Sequence, residues 1–421
     1  MSSKGYSVTV DYGKGQSKSY SAAFQTEERF ANSWASVLKT AHTSGAKVFC
    51  SCSAPGTGRL AVRHRSVTST YYIARYPNTG AQHQLNCQYY SQDADKSGLG
   101  SYSLGVVDET ADGLQIKLKL SLNRRESFNH AADGQIHSVN AQGKPLQSAM
   151  TLGGLLQLLW SEAGFNRWEP GVGKRWIGPG HGRLLRASNR ILTKSNGPIS
   201  DSLIIAAVGN ETAPEGKANL AKVDSAIAAN RRLIAVAQLA DYACADDARL
   251  SKKLILQDSA GFPHLYPTSG LWNRISASYS DELAAWRNKA DLIAIVQMDR
   301  PYLSTNGNLC AEVLDISLMR VSKQWIPVAS AYEATIEDLL RAQNRKFIKP
   351  MRFDSTTELV FPDFWLTDIA TGYMPMEVFG MNTPAYATRK LEKTNYYNKN
   401  FPNGWWSWDA YQGLAIPPFP V

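Results

Sequence analysis

The 421-residue chain has no run approaching the eighteen or more apolar residues of a membrane span, and its first residues, MSSKGYSVTVDYGKG, lack the apolar core of a secretion signal. A cytoplasmic protein with no membrane partner is the expectation. Cysteine is scarce and odd in number, five in all, which argues against a disulfide framework in a long intracellular chain and for thiols or metal. There is no G-x-x-x-x-G-K-[ST] phosphate loop, which excludes a P-loop motor. Neither a G-x-S-x-G elbow nor an H-E-x-x-H helix occurs, which removes two common hydrolase classes. The GPGHG run at 178–182 is too short and too poorly placed to cradle a phosphate. Without internal repeats or low-complexity tracts, a solenoid or propeller is disfavoured.

What is present is ordinary globular composition, 43% hydrophobic and 19% charged, in a chain too long for one core. The net charge of +9 favours an anionic partner such as nucleic acid, and the eleven Trp and nineteen Tyr are able to stack on bases, though aromatic residues more often fill cores. Pattern divides the chain. Residues 1–125 read as a small α+β unit: ERFANSWASVLKT has helical spacing, RLAVRH (59–64) and TYYIARY (70–76) are strand-like, and GLQIKLKLSL (113–122) alternates as a half-buried strand. The polar stretch 126–150 reads as a loop or linker. It opens a helical, basic region, 126–200, containing helices over 151–168 and 181–192, with a winged helix as one form it could take. From 201 to 421 the reading is α/β, with strands at 203–208, 232–239, 252–257 and 291–298 and a helix at 282–288. The last 90 residues order as helix (331–344), strands at 347–353, 358–366 and 374–380, and helix (385–397).

FCSCSAPG supplies Cys50 and Cys52, and QHQLNC supplies His83 and Cys87, two close ligand pairs separated by two predicted strands. Three thiolates and an imidazole suit a tetrahedral structural zinc, which a hairpin is able to assemble from two turns. His42 and His64 are substitutes for His83, while Cys244 and Cys310 read as small core residues.

FPDFWLTDIATGYMPMEVFG, residues 361–380, sets Asp363 and Glu377 fourteen positions apart in two apolar, strand-like stretches. A buried carboxylate needs a partner. On adjacent strands the two converge, and Mg²⁺, a hard cation that takes oxygen ligands, would relieve their repulsion.

The arrangement resembles the PD-(D/E)XK nuclease superfamily, whose core is αβββαβ, and in particular the helicase-associated variant that reads roughly PDF-x-L followed by E-x-F-G. Here the letters are PDFWL and MEVFG, and Phe379 stands where the usual Lys would be. The resemblance covers about 331–398 and implies a restriction-endonuclease-like core at about 291–421. It implies that Asp363 and Glu377 hold Mg²⁺ (or Mn²⁺), with a further Glu from the first helix, Glu333 or else Glu337. The basic residue would come from the following helix, Lys393 or, as substitute, Lys390. The whole chain is also similar to an uncharacterised bacterial family associated with plasmids and integrative elements, which implies plasmid or mobile-element proteins as further partners. Lys174, Arg175, Arg183, Arg186 and Arg190, among Trp and His residues, are candidate DNA contacts or else a solvated basic face. The expected function is a metal-dependent DNA endonuclease; the alternative is an inactive nuclease-like DNA-binding or mobilisation accessory protein.

Overall fold

The computed structural model describes residues 5–54, 57–65, 69–77, 79–85, 87–91, 102–103, 105–110, 113–123, 148–193, 197–243, 252–354, 360–370 and 372–421. Among the described residues four sheets with helices between them make a mixed α/β protein. No helix among the described residues is long and apolar enough to cross a membrane.

The first sheet is built from β1 (Val8–Asp11), β2 (Ser17–Tyr20), β3 (Lys47–Cys50), β4 (Arg59–Arg65) and β5 (Thr70–Arg75), in the order β2-β1-β3-β4-β5. Helices α1 (Ala22–Thr26) and α2 (Ala31–Thr43) precede β3, and α2 buries Leu38 and Ala41 from successive turns. The strands β6 (Val107–Thr110) and β7 (Gly113–Ile116) form a second sheet with two strands met later in the chain. The alternation expected to 122 therefore ends at Ile116, with Leu118 making one isolated bridge to Met150. Most of the stretch read as a linker lies outside the described residues.

Helix α3 (Leu152–Glu162) is apolar nearly all round and mostly enclosed, with Gly153, Gln157 and Ser161 half-buried along its polar line. After it come β8 (Arg167–Trp168), α4 (Ile177–Arg190), β9 (Ile191–Thr193) and β10 (Gly197–Pro198), the last two completing the order β10-β9-β7-β6. The largest sheet follows. Its members are β11 (Leu203–Ile205), β12 (Leu233–Gln238), β13 (His264–Pro267), β14 (Asp291–Met298), β15 (Tyr302–Leu303) and β16 (Leu309–Val321). The path is β11-β12-β14-β16-β13, and β15 pairs with β16. Helix α5 (Pro214–Ala228) crosses between the parallel strands β11 and β12, while α6 (Ser269–Ser278) and α7 (Ser280–Arg287) precede β14. KKLILQ is not a strand. It makes one isolated antiparallel bridge, Leu256 to Leu239 just past β12, flanked by Gln257 N to Gln238 O and Ala240 N to Ile255 O, and one bond from Leu254 N to Leu265 O; the ladder goes no further because the chain turns at Asp258 with φ 48°. The 291–298 strand pairs with β12 and β16, so it belongs to this sheet and not to the one that carries the carboxylates.

The C-terminal order is α8 (Ala331–Ala342), β17 (Phe347–Ile348), β18 (Phe364–Ile369), β19 (Gly372–Phe379), α9 (Pro384–Asn400) and β20 (Trp406–Asp409). The sheet runs β20-β19-β18-β17-β8, with β19 and β20 parallel across α9 and the other pairs antiparallel. The strand expected over 347–353 stops at Ile348, shortly before Pro350, which has no N–H for a ladder. The strand expected over 358–366 starts at Phe364 within the described residues. Phe364, Leu366, Met376, Ile336 and Leu340 close the core between this sheet and α8.

Candidate metal and carboxylate centres

Cys50 ends β3 and Cys52 lies in the turn after it; His83 caps a short 3-10 turn and Cys87 follows one turn later. The hairpin β4–β5 returns the chain so that the four meet, all buried, with their ligand atoms within 4.8 Å of one another. Cys50 Sγ lies 3.6 Å from Cys87 Sγ, and His83 Nδ1 lies 3.2 Å from Cys52 Sγ and 3.7 Å from Cys87 Sγ. A zinc ion with bonds of about 2.3 Å to sulfur makes tetrahedral edges of about 3.8 Å, so the spacing fits. The thiols also crowd one another. Hydrogen bonds with Cys50 and Cys87 drive Cys52 far below the ordinary thiol range, its bond to Cys52 pushes Cys50 up to about 11, and its bonds to both drive Cys87 higher. A divalent cation removes that conflict by stabilising all three as thiolates. The group can therefore hold a metal. His42 and His64 pack against each other and against Tyr71 in tilted and edge-on contacts instead, Cys310 is buried in β16, and Cys244 lies outside the described residues.

In the C-terminal sheet Phe364 pairs with Met376, which sets Asp363 opposite Glu377 one step beyond. Both are buried. Asp363 Oδ2 accepts from Val378 N–H at 2.8 Å, while its Oδ1 faces Arg352 Nη2 at 3.4 Å and Lys349 Nζ at 3.9 Å. Glu377 accepts from Lys393 Nζ on both oxygens at 2.8 Å and from Tyr397 Oη at 2.7 Å. The two acids are driven apart. Burial and the charge of Asp363 push Glu377 up to about 7 against the pull of Lys393. Asp363 is also opposed by burial, but Lys349, Lys393 and Arg352, with the Val378 N–H, hold it below the usual carboxylate range.

Glu333 joins this group and Glu337 does not. Ser330 caps α8 by accepting from Glu333 N–H at 3.1 Å, and the Glu333 carboxylate accepts at 2.9 Å from the N–H of Ala329, one residue before the cap, a variant of the capping box. The same oxygen takes Lys349 Nζ at 2.6 Å, so Lys349 sits between Glu333 and Asp363. Glu337 is tied to Arg341 at 2.7 Å. Of the two candidate lysines, Lys393 reaches Glu377, whereas Lys390 pairs with Asp409 and lies 4.7 Å over the Phe379 ring. Phe379 lies two residues beyond Glu377 on β19, on the same face. Lys393 thus brings an ammonium from the helix to that face. Sequence reasoning missed Lys349, Arg352 and Tyr397; the spacing of Tyr397 four residues after Lys393 on α9 was a signal, while Lys349 and Arg352 follow a two-residue strand with no motif.

The basic segment is a correction. Arg175 is buried and gives its guanidinium to the carbonyls of Phe165, at 2.7 Å, and Arg167. Arg183 Nε donates to Ala163 O at 2.9 Å, and Arg190 Nη2 donates to Glu162 O at 2.9 Å. Arg183 and Arg190 satisfy orphan carbonyls at the C-terminus of α3, where a cation also meets the negative end of the helix dipole, while Arg175 satisfies carbonyls of the segment that leads from α3 into β8. Burial pushes Arg175 well below the ordinary guanidinium range. Lys174 and Arg186 are the two members of the set that are exposed.

A family model described as a protein of unknown function (DUF1173) matches residues 20–410. No curated protein and no solved structure matches the chain.

Proposed function

The chain belongs to the DUF1173 family of proteins of unknown function, and we propose that it is a metal-dependent DNA endonuclease hydrolysing phosphodiester bonds. The observation that carries this reading is the meeting of Asp363, Glu377 and Lys393 from two adjacent strands and the following helix. Asp363 and Glu377 would hold Mg²⁺ or Mn²⁺, with Glu333 behind Lys349 as a third acid. Two carboxylates with water in the other positions is an ordinary ligand set for Mg²⁺. When bound, such an ion supplies a Lewis acid for a phosphoryl oxygen and a bound water of lowered pKa.

The side chains have separable roles. Lys393, bonded to both oxygens of Glu377, fixes that carboxylate and keeps a positive charge where the leaving oxygen gathers negative charge. Arg352 is half exposed beside Asp363, suited to a phosphate oxygen. Lys349 compensates Asp363 and Glu333 from the buried side. The Cys50, Cys52, His83 and Cys87 group we assign to structural zinc, since four protein ligands leave no open position for chemistry. The net charge of +9 supports DNA as partner, and we place this activity in the cytoplasm, in the service of plasmid or mobile-element transfer or maintenance.

Supercoiled plasmid and short duplexes incubated with Mg²⁺ or Mn²⁺ test the reading. Wild type should cleave, and Asp363→Ala and Glu377→Ala should each lose at least about 100-fold. Cleavage retained in both variants would overturn it. One observation favours the alternative of an inactive DNA-binding or mobilisation accessory protein: each of the three acids already has an ammonium or guanidinium partner from the chain itself. DNA binding by wild type without any cleavage selects that alternative.

A further inference from the structure

A cavity of about 200 Å³ opens between the N-terminus of α4 and the carboxyl ends of the parallel strands β11 and β12, and Glu333, Asp363 and Glu377 are not among its lining residues. Crevices at that end of a parallel pair are where α/β sheets take ligands. Three indoles shape this one. Trp160 and Trp325 are buried beneath it with ring centres 5.4 Å apart, and the Trp160 Nε1–H donates to Trp325 O at 2.8 Å, which locks the floor. Trp176 stands beside them 47% exposed, an unusual position for the largest apolar side chain. Polar groups join them on the lining: Gln238 at the end of β12, then Gln257 and Asp258. The side-chain amide of Gln238 has no hydrogen-bond partner among the described residues.

The glycine-rich IGPGHG run now has a cause. A Cβ at Gly178 would stand 2.6 Å from the Trp176 ring, and a Cβ at Gly180 would stand 2.6 Å from the Trp325 ring. Two of its glycines let the first turn of α4 lie against the two indoles. The run builds an aromatic pocket and holds no phosphate.

We propose that this cavity binds a nucleobase, with adenine preferred. The volume lies below the roughly 300–1,000 Å³ of sites that enclose drug-sized ligands, so it suits one ring system. An exposed indole face offers base stacking, and a glutamine amide presents the donor and acceptor that match adenine N7 and N6. Lys174, exposed two residues before Trp176, supplies a cation for an attached phosphate. The ring has two possible sources, an unpaired base of a single strand or a free nucleotide. The proposal stands apart from the nuclease reading, and its readout is binding without cleavage.

Fluorescence anisotropy with labelled dA10 and dT10, and calorimetry with AMP, in the full-length protein without divalent metal, test it. Binding of dA10 above dT10 without AMP assigns the site to a strand's unpaired base; binding of AMP assigns it to a free nucleotide. In either arm Trp176→Ala should weaken binding roughly 5- to 150-fold, the range for removing one stacking partner. Trp176→Phe should retain most of it. Because Trp176 is exposed, an unchanged melting temperature in both variants separates lost stacking from lost folding. No binding of dA10 or AMP by wild type, or equal binding by Trp176→Ala, overturns the proposal.

Discussion

Lys390 and Lys393 lie one turn apart on α9, and their surroundings separate them. The Lys390 charge is matched by Asp409 in a half-exposed pair, and such pairs contribute about 0–1 kcal/mol. The Lys393 charge faces a carboxylate that is almost wholly enclosed, and removing one partner of a buried pair strands the other. Lys393→Ala should therefore cost about 3 kcal/mol in urea unfolding and abolish cleavage, whereas Lys390→Ala should cost under about 1 kcal/mol and leave cleavage within a few-fold. Equal effects of the two substitutions would remove Lys393 from its assigned role. Glu377 gives a second residue-scale expectation. Its folded value of about 7 lies above its ordinary 4.5, so the folded state favours the neutral acid. That contribution is full below pH 4.5 and fades as the pH rises through 7, amounting to at most about 3 kcal/mol. Metal-free protein should become relatively less stable across that window, and Glu377→Gln should flatten the slope. A slope unchanged in the variant assigns the titration to another group.

At the scale of elements, α4 depends on what its first turn lacks. Gly180 is buried against Trp325, so overpacking in Gly180→Ala should cost about 1–3 kcal/mol against the roughly 1 kcal/mol that alanine's helix propensity returns, a net loss of up to about 2 kcal/mol. A rise in melting temperature would show that the indole floor yields freely. The apolar runs LIAVAQ and DLIAIVQM were legible as strands because both of their faces are covered and the pattern needs no alternation. KKLILQ has a similar run and is a loop, because hydropathy records burial and not the partner that a backbone N–H will find. The metal group was legible because close spacing carries ligand geometry, and Asp363 with Glu377 because buried carboxylates contradict their apolar setting. Arg175, Arg183 and Arg190 were misread for the converse reason. Charge is visible in sequence, but the carbonyls at the end of α3 and in the segment after it that absorb it are brought to the arginines only once the chain has folded.

Across the whole molecule, the metal group and the carboxylates are joined by two consecutive residues. Arg167, on β8, donates to the carbonyls of Leu85 and Cys87 and lies 4.8 Å over the Tyr90 ring. Asn166, just before it, accepts from Lys349 N–H at 2.7 Å and donates back to Lys349 O at 3.0 Å. β8 is also the edge strand beside β17, and Ile348 and Trp365 of that sheet are buried in the same cluster as Cys50, Cys52 and Cys87. The ligand loop therefore supports the backbone that aims Lys349 between Glu333 and Asp363. A structural zinc is worth about 10–16 kcal/mol in small domains, as much as a whole domain's stability of about 5–15 kcal/mol, so removing it should disorder the first sheet. Cys87→Ser should lower bound zinc and the melting temperature together, and amide exchange at 346–349 should quicken with it. Arg167→Ala isolates the link, since it leaves all four ligands in place and cuts the tie to their loop. Faster exchange at 346–349 in Arg167→Ala, at full zinc content, would establish mechanical support of one site by the other. Unchanged exchange in both variants would mean that the two centres stand independently.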